Sequence, residues 1–113
     1  MRTENDCNGI DAQKAVTFLK ALSNEKRLQI LCKLLHQEMC VNEMEKQVNL
    51  SQSALSQHLA KLRASGLVKT RRSAQTIFYS VKDPDILELM NTFSHIFKDK
   101  NGSNAPSRRA VNF

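Results

Sequence analysis

The stretch from Val41 to Arg63 limits what this chain can fold into more than any other. It reads Val-Asn-Glu-Met-Glu-Lys-Gln-Val, then Asn-Leu, then Ser-Gln-Ser-Ala-Leu-Ser-Gln-His-Leu-Ala-Lys-Leu-Arg. Val41, Met44 and Val48 recur at helical spacing in the first half, and Leu55, Leu59 and Leu62 do so in the second. Ser51 stands where an N-cap is needed, its hydroxyl placed to accept a bond from an early backbone N–H of the second helix. The pattern is a short helix, a tight polar turn and a second helix. At about 3.6 residues per turn, Ser53, Ser56, Gln57 and Ala60 fall opposite the leucines. That outer face is small, neutral and rich in hydrogen-bonding groups. Such a face fits a DNA major groove, where Ser and Gln meet base edges and Ala sits against a thymine methyl. An ordinary solvent-facing helix shares the leucine spacing, so the flanks decide between the two.

The flanks are basic. Net charge is +6 over 113 residues, and its placement says more than its size. Between Lys46 and Lys82 there is no Asp or Glu, while Lys46, Lys61, Arg63, Lys69, Arg71, Arg72 and Lys82 all lie there. A basic run is often only a solvated face. An acid-free run that coincides with a helix-turn-helix pattern is better explained by a phosphate backbone.

The remaining chain supplies a frame for this unit. Residues 1–10 lack periodicity and read as an N-terminal arm, and residues 99–113 as a C-terminal tail without a core-forming pattern. Residues 11–98 read as one domain. Ala12, Ala15, Val16, Leu19 and Leu22 make a helical stripe, Ser23-Asn24 caps a break, and a second helix runs from Glu25 to about His36. Its expected inward positions are Leu28, Leu31, Cys32 and Leu35. After Gly66, Leu67–Arg72 and Thr76–Val81 read as two strands closed by Ser73-Ala74-Gln75. A basic hairpin after such a helix is a wing that touches phosphate or the minor groove. Asp83-Pro84 then starts a helix running to about Lys98, apolar on more than one face. That surplus predicts a homodimer through Ala15, Leu19, Met90, Phe93 and Phe97. The predicted fold is mainly α with a small β-hairpin: a dimeric winged helix-turn-helix of order α-α-α-α-β-β-α.

Other classes are weaker. No apolar run spans a membrane and no leader pattern is present, so the expected site is the cytoplasm. Three cysteines, with none in a C-x-x-C spacing, read as free thiols in a reducing compartment. No nucleophile–base pair, carboxylate pair or phosphate loop has workable spacing, which argues against an enzyme. A winged helix reused purely as a protein-binding module would not need the acid-free segment. The expected partner is a double-stranded DNA operator, with no cofactor. Its contacts are Gln52, Ser53, Ser56, Gln57, His58, Lys61 and Arg63 on the second helix, and Arg71, Arg72 and Gln75 on the hairpin.

From about residue 12 to residue 98 the chain resembles the ArsR/SmtB family of bacterial winged-helix repressors. The resemblance is carried by Lys20-Ala-Leu-Ser-Asn-Glu-Lys-Arg-Leu-Gln-Ile-Leu31, by Leu50–Arg63, and by Gly66-Leu-Val through Phe78-Tyr79. It implies a dimer through the first and last helices, operator binding without effector, and release when an effector is sensed. One family metal site resembles Glu-Leu-Cys-Val-Cys-Asp-Leu; here Cys40 matches its first thiol and Asn42 replaces the second. The other uses Asp and His, then His and Glu, along the last helix. Here Asp83 matches, and Asp85, Ile96 and Asp99 replace the rest. Neither set holds a metal, so none is expected.

Ile30-Leu31-Cys32 and Ala74-Gln75-Thr76 are similar to the subgroup that includes the BigR, SqrR and HlyU regulators. That resemblance implies sensing of oxidants or reactive sulfur at Cys32. The subgroup's second cysteine is replaced near Lys98, leaving Cys7 as the substitute partner. A small buried hydrophobe is the competing reading of Cys32. The expected function is a repressor released from its operator by thiol oxidation or persulfidation. The alternatives are an activator or anti-silencer without a thiol switch, and a metal-responsive repressor.

Overall fold

Every helix but the third begins where a short polar side chain closes its first turn, and the computed structural model describes these elements over residues 8–98. Helix α1 (Ala12–Leu22) starts at Asp11, whose carboxylate accepts from the Lys14 N–H. Helix α2 (Glu25–His36) starts at Asn24, which accepts from the Arg27 N–H. Strand β1 (Met39–Cys40) leads directly into helix α3 (Val41–Glu45), where the Glu43 carboxylate reaches back to the Cys40 N–H at 2.9 Å. Helix α4 (Gln52–Ala64), strands β2 (Lys69–Ser73) and β3 (Thr76–Ser80), and helix α5 (Pro84–Ile96) follow. Asp83 caps α5, and Pro84 opens it.

The predicted hairpin is present, and it belongs to a three-stranded antiparallel sheet of order β1-β3-β2. Met39 pairs with Tyr79 and Cys40 with Phe78, a contribution from β1 that the sequence reading missed. A two-residue strand is too short to show alternation. The expected three-residue link is a two-residue turn. Ser73 pairs with Thr76, and Ala74 takes a left-handed φ of 58°. The strands are correspondingly offset by a residue or two from the expected ranges.

The core runs through every helix. Ile30, Leu31 and Leu34 of α2 meet Met44 of α3, Leu55, Leu59 and Leu62 of α4, and Ile86 and Met90 of α5. Two expected placements are corrected here. Cys32 is exposed, because Ile30, Leu31 and Leu34 occupy the inward arc and the next helical step carries residue 32 past it. Met90 is 4% exposed and belongs to the domain's own core, not to a free interface. Val16, Leu19, Leu87, Ile96 and Phe97 are the large apolar side chains that α1 and α5 leave exposed. Ala15 and Phe93 are half-buried. Cys7, most of the expected arm and the whole expected tail lie outside the described residues.

Candidate nucleic-acid interface

Helix α4 is fixed from both ends and from beneath. The Ser51 hydroxyl accepts from the Ala54 N–H at 3.1 Å, as the sequence predicts. At the other end Gly66, at φ 81°, turns the chain so that its N–H reaches Arg63 O at 3.0 Å and the Leu67 N–H reaches Leu62 O at 2.9 Å. That paired closure satisfies carbonyls the helix end leaves open, and the left-handed φ is why glycine stands there. Leu55, Leu59 and Leu62 are each fully buried. Truncating one to alanine would cost roughly 2–5 kcal/mol.

The opposite face is free. Gln52, Ser53, Ser56, Gln57, Ala60, Lys61 and Arg63 are all exposed. The structure thus brings the expected α4 contacts onto one outer surface, with His58 as the exception. That ring is half-buried, and its Nδ1 lies 3.4 Å from Nη1 of Arg27. Burial first, then the charges of Arg27 and Lys61, push its pKa down, which keeps the ring neutral and able to accept from the guanidinium.

Arg27 has a structural role that sequence reasoning missed. Its Nε donates to Ala21 O at 2.7 Å and its Nη2 to Lys20 O at 3.3 Å, closing the C-terminal end of α1. One side chain therefore ties α1 and α2 to α4. Nothing in its spacing signalled this, since the partners are backbone carbonyls of a different helix.

The wing differs from expectation in its charge. Arg72 and Gln75 are exposed at the hairpin. Arg71 is also exposed, yet its guanidinium is bound fork to fork by Glu38 at 2.7 and 2.8 Å. It also lies over the Phe78 ring at 4.7 Å. Mutual hydrogen bonding holds the Glu38 carboxyl below, and the Arg71 guanidinium above, their usual pKa values. The acid-free run was read along the chain, and Glu38 enters it through space.

A cleft of about 530 Å³ opens between α2 and α5, with Leu28, Cys32, Leu35, Phe93 and Phe97 among its walls. Cys32 is open to solvent at this wall, but its apolar neighbours still raise its thiol pKa by desolvation, only partly offset by Lys33. Among the described residues no three His, Cys, Asp or Glu side chains converge as a metal site would require. No helix among them is long and apolar enough to cross a membrane.

This arrangement can be set beside known proteins. Residues 24–70, which hold α2, the helix-turn-helix and the start of the wing, match the family described as "Bacterial regulatory protein, arsR family". The transcriptional activator HlyU of Vibrio cholerae is 47% identical over 91 residues, which is 80% of this chain and 84% of that protein. The chain belongs to the ArsR family. The nodulation protein NolR of Rhizobium meliloti is 52% identical over 79% of this chain and 73% of its own length. The solved structure of HlyU from Vibrio cholerae N16961 superposes with a TM-score of 0.73, covering 79% of this chain and 97% of that one. The repressor BigR from Xylella fastidiosa superposes at 0.71 with 39% identity, covering 78% of this chain and 90% of that one. ArsR proteins are DNA-binding transcriptional regulators, not enzymes. By name, the relatives of this chain include both an activator and a repressor.

Proposed function

We propose that this ArsR protein is a homodimeric, sequence-specific operator-binding repressor whose recognition helix is α4, and that Cys32 links its release to thiol oxidation or persulfidation. The division of α4 carries the reading. Its leucines are fully buried, while Ser53, Ser56 and Gln57 stand exposed on a neutral face inside a basic surround. Neutral hydrogen-bonding side chains add little to non-specific attraction and much to base discrimination. Dimerisation is supported by the apolar surface left by α1 and α5, where Leu19 is 57% and Phe97 73% exposed. Two copies joined there would present two recognition helices to a palindromic site.

The thiol reading is supported by the place of Cys32 on the α2–α5 cleft, beside that apolar surface. A charged or bulky sulfur adduct there alters the packing of α5. A second reading, an activator or anti-silencer without a thiol switch, is favoured by one observation. Among the described residues Cys32 is the sole cysteine lining the cleft, and its apolar neighbours raise its thiol pKa, which disfavours the reactive thiolate.

Gln57→Ala tests the central claim. Operator affinity should fall by about 1–3 kcal/mol while affinity for random duplex and thermal stability stay unchanged. A parallel fall in all three would make Gln57 structural and remove α4 as the reading helix.

A further inference from the structure

An open depression of about 350 Å³ lies where the end of α1, the start of α2 and the end of α4 meet. Lys20, Arg27 and Lys61 line it, one from each helix, together with Thr17 and Ser65. No carboxylate lines it, and among the described residues none of the three cations is paired with one. We propose that this notch is a DNA-backbone site, taking a phosphodiester oxyanion that flanks the bases facing α4.

Three observations carry the assignment. The first is continuity with the reading face. Lys61 and Ala64 follow Gln57 at four and seven residues along α4, so they share its outward side. The notch therefore borders the surface that meets bases, and it enlarges the basic surround with Lys20 and Arg27, both outside the acid-free run.

The second is the state of Arg27. The α1 C-terminus presents Lys20 O and Ala21 O here, and a helix end of that sign repels anions. Arg27 covers both carbonyls, at 3.3 and 2.7 Å, which removes the obstacle. A guanidinium has five N–H groups. Its contacts to the two carbonyls and to His58 use three, leaving two for an oxyanion. The group is thus held in place before any ligand arrives.

The third is the contrast with the wing. Arg71, one of the two wing arginines, has its fork filled by Glu38, whereas among the described residues Lys20 and Lys61 have no acidic partner. Counterion release on binding follows from unpaired cations that can meet phosphate.

The proposal rests on α4 being the reading helix, and the experiment separates the two claims. Binding of the full chain to a long operator duplex is measured across salt concentrations for wild type, Lys20→Gln and Lys14→Gln. Lys14 is an exposed α1 lysine that does not line the notch, so its loss changes net charge alone. The measurements are repeated on a duplex trimmed at both flanks, and the DNA-free protein is titrated with inorganic phosphate. Lys20→Gln should flatten the slope of log K against log salt by about 1 per subunit. It should leave the ratio of operator to random-duplex affinity unchanged. On the trimmed duplex wild type and Lys20→Gln should coincide. An unchanged slope, or equal flattening by Lys14→Gln, would overturn the site while leaving α4 as the reader. Phosphate binding to DNA-free protein that Lys20→Gln abolishes, with the DNA slope intact, would make it a small-anion site and overturn the DNA assignment. Failure of wild type to prefer operator over random duplex would overturn both claims.

Discussion

Arg71 on β2 and Glu38 just before β1 lock together at 2.7 and 2.8 Å, so the wing is fastened to the opposite edge strand by one of the two arginines expected to touch DNA. Arg71 is exposed and Glu38 half-buried at the surface, where such a pair adds little to stability. Its consequence is electrostatic: a guanidinium already bidentate to carboxylate has less to offer phosphate. Arg72→Ala should therefore flatten the salt slope of DNA binding by about 1 per subunit, and Arg71→Ala by clearly less. Glu38→Ala should steepen the slope by freeing Arg71. The Glu38 carboxyl titrates below its usual value, chiefly through its bond to Arg71, so the pair is intact above the ordinary carboxylate range. It is lost only as pH falls through that lowered value. Equal effects of Arg71→Ala and Arg72→Ala, with none from Glu38→Ala, would show that the lock opens on DNA.

How much of this was legible in the sequence depends on the range of the interaction. The leucines of α4, the Ser51 cap, the Gly66 stop and the Asp83-Pro84 start are local, and periodicity or capping chemistry exposes them directly. β1 was not legible, because two residues cannot alternate. Nor was the Glu38–Arg71 lock or the Arg27 joint: their partners are 33 residues apart in the first case and 31 in the contact to His58. The inward setting of Cys32 was misread for another reason. α2 has apolar residues around most of its circumference, so periodicity alone does not say which arc faces the core.

The Arg27–His58 contact makes stability depend on pH. Burial and two neighbouring cations depress the His58 pKa in the folded chain below its unfolded value. The folded state is therefore least penalised above about pH 6.5, the ordinary histidine value, and loses stability as pH falls through the lowered one. The melting temperature should drop between neutral and mildly acidic pH, and His58→Gln should reduce that drop. His36 and His95, both exposed, serve as controls. A drop that survives His58→Gln and disappears in either control variant would place the titrating group elsewhere.

Helix α5 should separate folding from assembly. Phe97 is 73% exposed and stacks edge-on against Phe93 at 5.9 Å. Phe97→Lys should give a folded monomer with weakened operator binding. Met90, 4% exposed, faces the core, so Met90→Lys should unfold the domain by burying an unpaired charge. Sedimentation and thermal melts distinguish the outcomes. A fully active dimer from Phe97→Lys would exclude assembly through this end of α5.

Cys32 carries the proposed switch, and its chemistry gives a two-stage test. Its apolar setting raises the thiol pKa, so at neutral pH the nucleophilic thiolate is scarce although the sulfur is exposed. Alkylation by iodoacetamide should be slower at Cys32 in the folded protein than in the unfolded chain near pH 8. The difference should narrow as pH rises past the folded pKa. A low thiolate fraction does not forbid sensing, but it favours a strongly electrophilic sulfur donor over mild peroxide. Inorganic polysulfide should therefore add sulfur at Cys32, detected by mass spectrometry, and lower operator affinity in wild type. A population shift of a few kcal/mol between binding-competent and incompetent dimers is enough for induction. Cys32→Ser should abolish the response. Cys7→Ser should abolish it only if the adduct matures to a disulfide, which needs the two Cα atoms within roughly 7 Å. Full sensitivity retained in Cys32→Ser would remove this thiol from the switch. An insensitive wild type would leave a regulator governed by something other than sulfur, and the reading without a thiol switch would stand.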